Sequence, residues 1–150
     1  MDIVETPNNY EGKVKLIKGI LEDVKKRKHK HYNYYRINNF TNTIFKSLIN
    51  ALNAISVSSL ILSYTEEDKY YDKIALSTTS LSGVISAITS TVNIEQKSHS
   101  HNTSYLQYTD IYRDVSARLL RNGMNGNDLD NLLSEINNRM GLIEDNSLPI

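Results

Sequence analysis

Aliphatic residues crowd the chain between Thr43 and Tyr64 and again between Ile74 and Ile94, and acidic residues are absent from both stretches. Lys46 is the one charge in the first stretch, and the second has none. Each is about 20 residues long, the length an α-helix needs to cross a hydrocarbon layer at about 1.5 Å per residue. Polar residues recur inside both stretches at helical spacing. Lys46, Asn50 and Asn53 fall at i, i+4, i+7 in the first, and Ser82, Ser86, Thr89 and Asn93 at i, i+4, i+7, i+11 in the second. Beside the latter runs an apolar stripe of Leu81, Val84, Ile85, Ile88 and Val92. The pattern predicts two helices, each with a polar and an apolar face. It fits a membrane hairpin whose helices associate through small and hydroxylated side chains. It also fits a soluble bundle whose apolar stripes meet in a core.

The flanks read as helix too. Val14, Ile17, Leu21 and Val24 predict a helix from Tyr10 to about Phe40, and no Pro or Gly breaks it after Gly19. Leu106, Ile111, Val115, Leu119 and Leu120 predict another from Ile94 to about Arg121. Asn122-Gly123 reads as a helix stop, Asp128 as the cap of a last helix over 129–140, and Gly141 as its end. The expected fold is all-α: a long basic N-terminal helix, an antiparallel hairpin of two candidate transmembrane helices (43–64 and 74–94), and C-terminal helices. One helical domain is expected over 10–140, between a flexible tail at 1–9 and a second tail at 141–150. No secretory signal is visible at the N-terminus, which is polar.

Charge sharpens this picture. Over 150 residues, 17 Lys+Arg balance 17 Asp+Glu, which excludes a generally basic nucleic-acid binder. The balance is built from blocks. Residues 11–36 are basic, the link between the apolar stretches is acidic at Glu66, Glu67, Asp68 and Asp72, and Lys97, Arg113, Arg118 and Arg121 follow the second stretch. By the positive-inside rule this matches a hairpin with both termini on the cytoplasmic side, or on the interior side of a virion. Tyr32, Tyr34 and Tyr35 before the first stretch, and Tyr64, Tyr70 and Tyr71 at the turn, suit interfacial aromatic positions. Lys25, Lys26, Arg27, Lys28 and Lys30, with Arg36, form a polybasic segment. Its nearness to a candidate span favours an anionic membrane surface over nucleic acid as its partner.

Candidate chemistry is sparse. The chain has no Cys, so thiolate zinc sites and thiol nucleophiles are excluded. His99 and His101 lie two apart, which on a helix turns them in different directions, and no HExxH, GxSxG, GxGxxG or phosphate-loop motif occurs. Asp110 and Asp114 interleave with Arg113, Arg118 and Arg121, the pattern of a salt-bridged helix face. The expectation is a protein that is not an enzyme and needs no metal or cofactor.

The order of parts resembles a known class. His31-Tyr-Asn-Tyr-Tyr-Arg-Ile-Asn-Asn-Phe40 precedes the first stretch and Ile49-Asn-Ala-Leu-Asn-Ala-Ile-Ser-Val-Ser58 lies within it. After the second stretch from Ile74 come Lys97-Ser-His-Ser-His-Asn-Thr-Ser-Tyr-Leu106 and Asp110-Ile-Tyr-Arg-Asp114, and the chain ends in Asn146-Ser-Leu-Pro-Ile150. Across residues 10–150 this is similar to the SLATT class of two-transmembrane-helix proteins, and in particular to SLATT-like proteins encoded by large nucleocytoplasmic DNA viruses. The resemblance implies a membrane or virion component, with lipid, further copies of the chain and viral capsid or virion proteins as partners. In bacterial relatives it implies a pore-forming oligomeric effector. It carries over no catalytic or ligand residue. The other reading left by the residues is a soluble helical protein, capsid-associated or an adaptor, lying within a virion or the cytoplasm.

Overall fold

The structure is a computed structural model that describes residues 7–66, 69–121 and 124–146. Among the described residues the regular elements are α-helices, and no strand occurs. They are α1 (Pro7–Glu66), α2 (Lys69–Val92), α3 (Ile94–Leu119) and α4 (Gly126–Asn146). The all-α expectation therefore stands. The helix expected from Tyr10 and the first apolar stretch are one element of 60 residues. Pro7 occupies its first turn, where a missing N–H costs nothing, and the next proline in the chain is Pro149.

Asn93 separates α2 from α3. Its φ is 52°, a left-handed conformation that Asn tolerates because its short side chain crowds the backbone little. Its N–H donates to the Ser90 carbonyl at 3.2 Å, and its own carbonyl accepts from Lys97 N–H at 3.0 Å, closing one helix and opening the next.

The packing divides the chain into two compact units, Met1–Tyr35 with His99–Ile150, and Arg36–Ser98, where the sequence suggested one domain over 10–140. The physical reason is compositional. The first unit buries a cluster of aliphatic side chains, whereas most large aliphatics of the second are exposed. The first unit packs the start of α1, most of α3, and α4 around Ile17, Val24, Tyr108, Ile111, Val115, Leu129, Leu132, Ile136 and Ile143. Ion pairs edge this core. Lys13 Nζ meets Asp130 at 2.8 Å, Arg27 pairs with Glu144, and Arg118 bridges Asp114 (3.1 Å) and Glu135 (2.8 Å). Arg139 closes the network on Asp114 at 3.0 Å.

Three boundaries differ from the sequence reading. The cap of α4 is Asn125, not Asp128: Asn125 Oδ1 accepts from Asp128 N–H at 2.9 Å, and Asp128 Oδ2 accepts from Asn125 N–H at 3.0 Å. This is a reciprocal capping box with Asp128 as its third helical residue. Gly141 does not end α4, which runs on to Asn146 because burying Ile143 extends the apolar stripe one further turn. At the other end, α1 begins within the supposed tail, at Pro7. The Asn122-Gly123 stop, residues 1–6 and residues 147–150 lie outside the described residues.

Truncating a buried side chain of α4 tests this core. Ile136→Ala is expected to destabilise the first unit by about 2–5 kcal/mol, and Asn125→Ala by about 1 kcal/mol. Denaturant unfolding followed by circular dichroism measures both. A loss at Ile136 no larger than that at the cap would contradict the packing of α4.

Candidate membrane hairpin and a buried histidine pair

In the second unit α1 and α2 run antiparallel, and three polar contacts fix their register. Ser63 Oγ donates to Asp72, Ser56 Oγ lies 2.6 Å from Thr79 Oγ1, and Ser82 Oγ donates to Asn53 Oδ1 at 2.8 Å. Ser56 Oγ also reaches the Ala75 carbonyl at 3.2 Å. The paired positions step down one helix as they step up the other, as an antiparallel seam requires. Along α1 a covered stripe runs through Phe45, Ile49, Leu52, Ser56, Ser59 and Ser63, and along α2 one runs through Tyr71, Ala75, Thr78, Ser82, Ile85 and Thr89, with Ile74 half-buried beside it. Steps of three and four alternate, the 3.5-residue period of coiled-coil packing. At its centre this seam is made of small and hydroxylated side chains, which let the two backbones approach closely.

The outer surface has the opposite character. Leu48, Ile55, Val57, Leu60, Ile61, Leu76, Leu81, Val84, Ile88 and Val92 are exposed, with Ile61 59% and Leu76 70% accessible. The segments Asn9–Thr65 and Lys69–Leu119 are long and apolar enough to cross a membrane, and in their most apolar windows only 17% and 11% of residues are buried. The apolar stripe expected to meet a partner in a soluble core, Leu81, Val84, Ile88 and Val92, is among the exposed residues; only Ile85 turns to the seam. Some hydroxyls on the outer surface bond within their own helix. Ser80 Oγ donates to the Leu76 carbonyl and Thr91 Oγ1 to the Ala87 carbonyl, each at 2.8 Å. Such back-bonding satisfies a hydroxyl where neither water nor another chain does so.

The polar residues expected between helices are thus only partly brought together. Asn53 and Ser82 meet. Thr89 is half-buried but donates to the Ile85 and Ser86 carbonyls of its own helix. Asn50 and Ser86 are exposed on the outside, and Asn93 is the exposed break between helices. Ser56, Ser59 and Thr79 carry more of the seam than the sequence indicated. The missed signal was the run of serines at steps of three and four from Ser56 to Ser63.

The tyrosines divide as well. Tyr64 and Tyr70 are exposed at the turn, and Tyr71 is half-buried against Tyr70 with ring centroids 6.0 Å apart. In the first unit Tyr32 packs on Tyr105 at 5.2 Å and Tyr34 stacks on His101 at 5.3 Å, while Tyr35 is half-buried. Tyr32 and Tyr34 belong to an aromatic cluster, although Tyr34 is partly exposed. The polybasic segment is partly engaged too. Arg27 is paired with Glu144, Lys28 Nζ sits 5.2 Å from the Tyr112 ring centroid, and Lys26 is 3.7 Å from Asp23. Lys25, Lys30 and Arg36 are exposed.

The contact that sequence reasoning did not foresee lies in the first unit. His31 on α1 and His101 on α3 are only 3% and 4% accessible, with their Nδ1 atoms 3.2 Å apart. His31 also packs on Tyr108, ring centroids 5.6 Å apart. Burial lowers the pKa of His31 from 6.5 to about 4, and His101, Lys30 and Arg27 push the same way. Sequence distance hides the pair, because the two histidines are 70 residues apart. No group of three or more His, Cys, Asp or Glu side chains suited to a metal ion occurs among the described residues.

Searches with this chain found no matching family model, no similar curated protein and no similar solved structure.

Because the chain has no cysteine, its seam can be tested by paired substitution. Ser56→Cys with Thr79→Cys is expected to form a disulfide on mild oxidation, and Val57→Cys with Thr79→Cys is not. Mobility on a non-reducing gel reads the outcome. Equal cross-linking of the two pairs would contradict the register.

Proposed function

We propose that this chain is a helical hairpin protein that crosses a membrane twice and serves as a structural or membrane component rather than an enzyme. One observation carries the reading: the hairpin buries hydroxyls and exposes aliphatics, the reverse of a water-facing protein. In water, leaving apolar surface uncovered forfeits about 25 cal/mol for each Å². In lipid the same surface is already solvated, and polar groups are the ones that need partners. The water-soluble adaptor or capsid-associated reading has this outward surface against it. The basic flanks and the acidic turn support an orientation with both termini on the cytoplasmic or virion-interior side. The resemblance to SLATT-like proteins of large DNA viruses supports a viral membrane or virion component, with virion proteins as partners. Engagement of Arg27 and Lys28 within the first unit leaves less of the polybasic segment for nucleic acid.

A second reading, an oligomer of such hairpins, rests on Asn50. This amide is exposed on the outside of the first apolar stretch, where lipid offers it neither donor nor acceptor. A second copy supplies both. An oligomer that encloses such polar faces forms a pore.

Expressed protein is expected to sediment with membranes and to resist carbonate extraction; release to the supernatant would overturn the spanning model. Cysteines placed at Val57 and Val84 are expected to resist a water-soluble maleimide that labels one placed at Tyr64. For the oligomer, chemical cross-linking in detergent is expected to give multimers that Asn50→Leu reduces to monomer. An unchanged ladder would remove Asn50 from the contact.

A further inference from the structure

The two buried imidazoles form a contact whose proton inventory is constrained. With Nδ1 facing Nδ1 at 3.2 Å, one nitrogen must donate and the other must accept. Two neutral rings of opposite tautomer satisfy this. Two imidazolium rings cannot, because each then points an N–H at the other. The surroundings also resist a single added charge. On α1, Arg27 and Lys30 lie near His31 and disfavour a further cation, and Tyr34 covers the partner ring. On α3, Tyr108 packs against His31 through its ring face. On α4, Glu144 pairs with Arg27 and acts on Tyr108. The surroundings therefore favour a neutral His31, and its contact with His101 joins α1 to α3.

We propose that the His31–His101 pair is a proton-operated lock, holding α1 against α3 while both rings are neutral and releasing them as the pair takes up protons. Protons are the fitting ligand because no third metal-binding side chain joins the two rings among the described residues. The direction follows from linkage. His31 in the closed unit takes a proton only near pH 4, whereas the opened segment takes it near the ordinary value of 6.5. Between these values the open form binds more protons, so the closed form loses stability as pH falls. Well above pH 6.5 His31 is neutral in both forms and its contribution to stability is complete. The lock acts within the first unit and does not depend on where the hairpin resides.

Hydrogen exchange on the full chain in detergent tests the lock. After correction for the intrinsic pH dependence of exchange, peptides covering 24–35 and 101–112 are expected to lose protection by about tenfold or more between pH 7 and 4.5. Peptides from α2 are expected to hold theirs. His31→Leu with His101→Leu, which removes the titrating groups, is expected to keep its pH 7 protection at pH 4.5, and His99→Leu to behave as the unaltered chain. Protection retained by the unaltered chain at pH 4.5, or lost equally by the double variant, would overturn the proposal. If the double variant does not fold, the imidazole resonances of the unaltered chain decide. Titration of His31 well below pH 6.5, together with a shift of the Tyr108 ring, supports the lock, and titration at 6.5 or above overturns it.

Discussion

The hairpin is organised by the hydrogen-bonding needs of its hydroxyls. Ser56 pairs with Thr79 and Ser82 with Asn53 across the seam, while Ser80 and Thr91 satisfy themselves on carbonyls of their own helix. In water such contacts add little, because solvent competes for every donor and acceptor. In a hydrocarbon layer the competition vanishes and an unmade bond costs several kcal/mol. The arrangement therefore gains most in a medium without water. That medium also welcomes the exposed isoleucines, leucines and valines. Both faces of the hairpin suit the membrane setting proposed above, for opposite chemical reasons.

The same constraint explains why α1 reads differently along its length. Every seventh residue from Ile17 onward is Ile17, Val24, His31, Asn38, Phe45, Leu52 and Ser59, and each of these is buried or half-buried. The covered positions keep one period while their chemistry changes. Where the covered residues are aliphatic, at Ile17 and Val24, the outer residues are charged, as at Lys18 and Lys25. Where the covered residues become serines, the outer ones are Val57, Leu60 and Ile61. Packing geometry persists, and the polarity of inside and outside is exchanged. His31 falls in this series between Val24 and Asn38, where a side chain with both an apolar ring face and two polar nitrogens suits both neighbours.

This exchange also sets what the sequence could reveal. Element type was legible throughout, because hydrophobic period and helix length speak for α-helix in either medium. The apolar stripe at Leu81, Val84, Ile88 and Val92 was legible as a face, but not as an outward one. Amphipathicity locates two faces without saying which is buried. The serine seam was harder, since Ser56, Ser59 and Ser63 read as scattered small residues until a second helix is placed against them. Boundaries failed where local and tertiary signals competed. Gly141 favours a stop, yet burial of Ile143 carries α4 past it. Asp128 looks like a cap, yet Asn125 three residues earlier offers a reciprocal pair. The His31–His101 contact was invisible because nothing local connects residues 70 positions apart.

Register is the last property that polar contacts control here. In a core sealed by the hydrophobic effect, sliding one helix past another uncovers apolar surface, and that loss holds the helices in place. Lipid removes this restraint, because surface uncovered from a neighbouring helix is covered again by acyl chains. In the proposed membrane setting the aliphatic exterior of the hairpin is thus indifferent to sliding or rotation. A slip of one residue between α1 and α2 would instead separate Ser56 from Thr79 and Ser82 from Asn53, leaving four polar groups to find partners where few exist. Few and weak as they are by aqueous standards, these hydrogen bonds are what make one alignment preferable to its neighbours. The buried imidazole pair does the same for α1 and α3, since only one stagger faces the two Nδ1 atoms. In the first unit the apolar core and the imidazole pair together select the alignment, while in the second the short list of polar contacts does so.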